Sequence, residues 1–129
     1  MTITFLSREE VLLIHADMIL RYGGTSGLRD EGLLSSALAM PEAGFDKQYL
    51  HPDIPAMAAA YVFHLVNDHP FVDGNKRVGA MTAYVFLEIN GHDLTAAEEA
   101  FELLVMGVAN GVMTKDAVVE FFRCHTRRR

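Results

Sequence analysis

The sequence predicts an all-α fold in one compact domain of about six helices. Three observations predict it. Apolar residues recur at helical spacing through most of the chain, and no run alternates as a strand would. Residues 56–67 are almost wholly apolar, the pattern of a helix buried on all sides. Helix-start residues and glycine stops punctuate these runs at regular intervals.

The elements follow in order. Ser7 and Glu10 form a capping box, in which each side chain satisfies a backbone donor at a helix start. Val11, Ile14, Met18 and Ile19 then share one face, and Arg21-Tyr22-Gly23-Gly24 ends the helix. Asp30 caps a second, short helix reaching about Met40. Residues 41–52, with two prolines and Gly44, read as irregular. Asp53 and Pro55 open the third, central helix, because proline is tolerated in a first turn. Pro70 disfavours helical geometry at His69 and stops it. A fourth helix begins near Gly74 and runs to Asn90, with Gly91 as its stop. Thr95 and Glu98 form a second capping box and open a fifth, which Gly111 breaks. Thr114 caps a sixth, ending near Arg123. The domain therefore spans residues 1–125, and the basic tail 126–129 is expected to be disordered.

Composition bounds the function. Of 129 residues, half are apolar and 22% are charged, which suits one domain with a real core. Eleven basic against 17 acidic side chains give a net charge of −6, a poor match to a protein that binds nucleic acid directly. Cys124 is the sole cysteine, so no intrachain disulfide is possible; it reads as structural rather than nucleophilic. No long uncharged apolar run suggests a membrane span, and the first residues lack a secretion signal, so a cytoplasmic location is expected. Met57, Met81, Met106 and Met113 read as core filling. His64 is expected to pack or to reach a backbone acceptor. No histidine or cysteine spacing resembles a zinc motif.

The chemistry concentrates in residues 69–77, HPFVDGNKR. A helix that starts there offers amides without internal partners and a positive dipole end, a ready anion site. Gly74 lets the backbone approach a phosphate closely. Lys76 and Arg77 add full charge in the first turn, where cations cost the helix roughly 0.3–1 kcal/mol each unless an anion offsets them. Asp73 can cap the helix or hold a magnesium ion that bridges phosphates. His69 supplies an imidazole suited to accepting a proton near neutrality. Each residue has an ordinary structural explanation as well, as a cap, a turn or a solvated face. Together they are the parts that phosphoryl transfer needs.

HPFVDGNKR also resembles the signature of the Fic/Doc family, His-x-Phe-x-Asp/Glu-Gly-Asn-Gly/Lys-Arg. RYGG and the following Gly-Leu-Arg-Asp-x-Gly-Leu look like the N-terminal part of the death-on-curing (Doc) toxins. The likeness covers about residues 3–123. Lys76 stands where the family's adenylyltransferases have glycine, and Ala80 where they have a second arginine, so the chain resembles the Doc branch. The resemblance implies a Fic/Doc-type helical bundle. It implies a toxin of a toxin–antitoxin pair that passes the γ-phosphate of ATP, with Mg²⁺, to a threonine of elongation factor Tu, blocking translation. It casts His69 as the catalytic base and Asp73 as the metal ligand. Gly74, Asn75, Lys76 and Arg77 become the nucleotide-binding turn, and Phe71 the buried anchor. In Fic-type folds a flap in the region of residues 41–52 aligns the target peptide, here with Phe45 and Tyr49. Many Fic proteins carry an inhibitory Ser/Thr-x-x-x-Glu-Gly/Asn helix. Here the one Glu-Gly pair, Glu31-Gly32, follows Gly27, so a separate cognate antitoxin is implied. AMP transfer, and a non-catalytic module that binds a nucleotide or partner, are the alternatives.

Overall fold

The computed structural model describes residues 2–129. Six helices build it: α1 (Arg8–Tyr22), α2 (Glu31–Ala39), α3 (Ile54–Asp68), α4 (Asn75–Ile89), α5 (Glu98–Ala109) and α6 (Lys115–Cys124). Four short strands accompany them: β1 (Gly44–Phe45), β2 (Gln48–Tyr49), β3 (His92–Leu94) and β4 (Thr126–Arg128). The all-α expectation holds, and no described helix is long and apolar enough to cross a membrane.

Helix α3 is the axis of the molecule. Every residue from Ala56 to Val62 is buried, as are Leu65 and Val66. It packs against α4, α6, α2 and α5. The two helices approach closely at Gly79 of α4, where a Cβ would stand 2.8 Å from Val66 Cγ2. A side chain there would push apart the two helices that flank the 69–74 loop.

The expected caps form where the sequence put them. Ser7 and Glu10 exchange hydrogen bonds, Asp30 accepts from Leu33 N–H, Asp53 from Ala56 N–H and Thr114 from Ala117 N–H. Thr95 and Glu98 do not. Helix α5 starts at Glu98 with Ala97 as an uncapped N-cap, because the Thr95 N–H donates to the His125 carbonyl at 2.6 Å. That bond belongs to a small antiparallel ribbon in which His92 pairs with Arg128 and Leu94 with Thr126. The tail at 126–129, expected to be disordered, is thus ordered. Arg129 donates to the Glu88 carbonyl and to the Asp93 carboxylate, which tie the ribbon to the end of α4.

Residues 41–52 are also more regular than expected. Gly44 pairs with Tyr49 and Phe45 with Gln48 in a hairpin, through a turn in which Asp46 and Lys47 both take positive φ. That is the handedness that matches strand twist in a two-residue turn. Phe45 projects with 88% of its surface exposed.

His64 packs edge-on against the Phe63 ring, with centroids 5.4 Å apart, but its bond is to a side chain and not to a backbone acceptor. Its Nε2 accepts from the Lys115 ammonium at 2.9 Å, joining α3 to α6. Burial, then the charges of Lys115 and His51, push its pKa down to about 4, so the ring is neutral and free to accept. Among the methionines, Met57 is in the core, but Met106 is 45% exposed. Cys124 is exposed, and its thiol donates to Glu120, which raises its pKa and keeps it protonated.

Candidate active site

The loop between α3 and α4 is built on a buried anchor. Phe71 is 1% exposed. Its N–H donates to Asn75 Oδ1 and its carbonyl accepts from Asn75 Nδ2, both at 3.0 Å. The Asn75 side chain is therefore spent on the loop's own backbone. Only its main-chain amide is left for an anion, which narrows the role the sequence gave it.

Helix α1 supplies the second support. The His15 ring lies flat on Phe71, with centroids 3.8 Å apart and planes 8° apart. Its Nε2 is 2.8 Å from the Asp73 carbonyl oxygen. A carbonyl only accepts, so Nε2 carries the proton. This bond turns the Asp73 carbonyl inward, away from the mouth of the anion turn. His15 was legible only as a polar residue on the apolar face of α1, between Val11 and Met18.

Asp73 is held by two amides. Oδ2 accepts from Thr25 N–H at 3.1 Å and Oδ1 from Gly74 N–H at 2.9 Å. These bonds, and then the charges of Arg77 and His15, hold the carboxyl below the usual carboxylate range. The carboxylate stays ionised, and each oxygen keeps a lone pair for a further partner. Gly24 makes room for it: its φ is +115°, and a Cβ there would stand 2.7 Å from Asp73 Oδ2. Gly24→Ala should displace the carboxylate and strain the backbone. We expect a loss of about 1–2 kcal/mol in denaturant titrations. The Asp73 titration followed by NMR should move up toward the ordinary carboxylate range. An unchanged Asp73 titration would show that Gly24 does not set its environment.

Gly74, in the left-handed conformation, is the N-cap of α4 and brings no capping side chain. The amides of Asn75, Lys76 and Arg77 have no carbonyl within the helix to bond. Lys76 and Arg77 are exposed beside them, and the Arg77 guanidinium sits 4.8 Å over the Tyr22 ring. That face contact steadies the cation without neutralising it.

His69 ends α3 with φ 53° and ψ 52°, a left-handed conformation that costs a non-glycine residue about 1–2 kcal/mol. It is exposed. His69, Asp73, Gly74, Asn75, Lys76 and Arg77 all line one cavity of about 760 Å³. The sequence did not reveal the opposite wall. It comes from α5, with the apolar Phe101, Val105 and Met106 and the polar Glu102 and Asn110, and Ala80 of α4 also lines the cavity. Cations and free amides in the same cavity as apolar side chains suit a ligand with a phosphate group and a flat ring. Among the described residues no group of three or more His, Cys, Asp or Glu is placed to hold a metal ion. Asp73 offers a single carboxylate, the donor set of a magnesium ion held otherwise by phosphates and water.

The Fic/DOC family model matches residues 5–87. A protein named Toxin Doc from Mycolicibacterium smegmatis is 36% identical over 115 residues, covering 87% of this chain and 82% of that protein. A protein named Protein kinase doc from Escherichia phage P1 is 30% identical over 118 residues, covering 92% of each.

Proposed function

The chain belongs to the Fic/Doc family, and we propose from that premise that it is the toxin of a toxin–antitoxin pair and acts as a protein kinase. The reaction is transfer of the γ-phosphate of ATP to a threonine hydroxyl of a translation factor of the elongation factor Tu type. The name and extent of the phage P1 relative support the kinase reading. The observation that carries it is the cavity itself, which unites a base, an ionised carboxylate and an uncapped helix start carrying Lys76 and Arg77. Lys76 and Ala80 stand where the adenylyltransferase branch has glycine and arginine.

In this mechanism His69 takes the proton from the threonine hydroxyl. The freed oxygen bonds to the γ-phosphorus as the bond to the ADP oxygen breaks, and ADP leaves. The amides of the first turn of α4, with Lys76 and Arg77, stabilise the charge spread over the phosphoryl oxygens. Asp73 would hold Mg²⁺, which when bound neutralises charge between neighbouring phosphates. The hairpin of β1 and β2, with Phe45 and Tyr49, aligns the target peptide by strand addition. A cognate antitoxin restrains the activity, which takes place in the cytoplasm.

The test uses the purified chain, magnesium and elongation factor Tu, with ATP labelled at either the α- or the γ-phosphate. Label arriving only from the γ position supports the kinase. Label from the α position makes the protein an adenylyltransferase. Transfer from neither overturns the proposed substrate.

A further inference from the structure

We infer that Arg29 is a positioning residue that aims His69, acting through the backbone from outside the cavity. The inference rests on the reading of His69 as the base. No group among the described residues hydrogen-bonds the His69 ring, so no polar partner aims it, and the main chain sets the direction in which its Cα–Cβ bond leaves. The main chain there is in an unfavourable state. His69 precedes Pro70, and a residue before proline prefers extended geometry. It stands instead in the left-handed region, at φ 53° and ψ 52°. Relaxation to the extended state would swing the Cα–Cβ bond and carry the imidazole away from Asp73 and the anion turn.

Arg29 opposes that relaxation in a specific way. Its Nε donates to the His69 carbonyl at 2.7 Å, and its terminal NH₂ to the Asp68 carbonyl at 3.1 Å. These two carbonyls belong to the peptide planes on either side of the His69 α-carbon. The angle between those planes is what φ and ψ of His69 define. One rigid, planar guanidinium bonded to both therefore fixes both dihedrals together. The neighbouring contacts do not do this. The amides of Arg29 and Asp30 both donate to the Pro70 carbonyl, and Val72 N–H donates to Gly27, which secures the chain only beyond His69. Arg29 is not among the residues that line the cavity. A cation at the end of α3 also favours the helix dipole, which is the purely structural role the test must separate.

The experiment compares the full-length chain with Arg29→Ala, Arg29→Lys and His69→Ala. It measures γ-label transfer at saturating ATP, ATP affinity, thermal stability, and the His69 φ from its HN–Hα coupling and Cα and Cβ shifts. We expect Arg29→Ala to lower the turnover rate about 10–100-fold. ATP affinity should stay within about twofold, and the His69 signals should move from left-handed to extended. Arg29→Lys, whose ammonium can reach the carbonyls but lacks the rigid planar fork that holds both peptide planes at a set angle, should recover only part of the rate. Wild-type turnover in Arg29→Ala, an unshifted left-handed signature at His69, or a fall in ATP affinity parallel to the fall in rate would each overturn the inference. If the unaltered chain transfers no γ-label and matches His69→Ala, the proposed reaction on this substrate fails. The His69 backbone signals then still decide whether Arg29 holds that residue. Should Arg29→Ala fail to fold, the same signals in Arg29→Lys decide it.

Discussion

His69→Ala should yield a folded protein in which γ-phosphate transfer falls by about 10²–10⁴-fold, the range of a lost general base. Both halves of that result follow from where the residue sits. The residue is exposed and its ring makes no hydrogen bond with a described residue, so its removal opens no cavity and strands no described polar partner. The melting temperature should stay close to that of the parent chain. His69→Asn is the sharper control, because asparagine accepts left-handed geometry more readily than most residues. It keeps the loop's shape while removing the imidazole. Circular dichroism melts alongside labelled-ATP transfer make the comparison. Full activity in either folded variant would reject His69 as the base.

Asn75→Ala should instead act on the fold, costing about 2–4 kcal/mol. Asn75 is 4% exposed, and Phe71, whose backbone it bonds on both sides, is 1% exposed. Alanine leaves a buried N–H and a buried carbonyl without partners, and water has no easy route to either. In a thermal scan the loss corresponds to a fall of about 5–15 °C. Asn75→Asp keeps an acceptor for the Phe71 N–H but sets a negative charge against the Phe71 carbonyl, so it should not rescue. A loss below about 0.5 kcal/mol in Asn75→Ala would mean that the loop holds without this clamp.

The contrast between these residues shows what the sequence could carry. HPFVDGNKR is contiguous, so the cavity's charged residues were legible as a set. Their division of labour was not. Asn75 looks like part of a phosphate turn in one dimension, and only the fold reveals that its side chain faces inward to Phe71. The helices were legible because their signals are local: the apolar run of α3, and the caps at Ser7, Asp30, Asp53 and Thr114. The same logic failed at Thr95, where a long-range bond to His125 outcompetes a local cap. The ribbon at the tail was missed for a related reason. Three-residue strands are too short for alternation to register, and the Arg129–Asp93 pairing spans many intervening residues. The α5 wall was invisible because Phe101 and Met106 are ordinary apolar positions until a second helix faces them.

The supports of the 69–75 loop have a consequence for how the protein comes to be active. Helical hydrogen bonds join residues four apart, whereas His15 meets Asp73 across 58 positions, Thr25 meets Asp73 across 48 and Arg29 meets His69 across 40. Closing segments of that length costs chain entropy before any bond returns it, so such contacts form late. Helices α3 and α4 can assemble early and still leave Asp73 and His69 unaimed. A nascent or partly unfolded chain then carries the complete motif but not the site. Helix α5, made after the loop, adds a further wall of the cavity. The site is in that sense a property of the assembled fold: its chemistry waits until α1, residues 25–29 and α5 have closed around the middle.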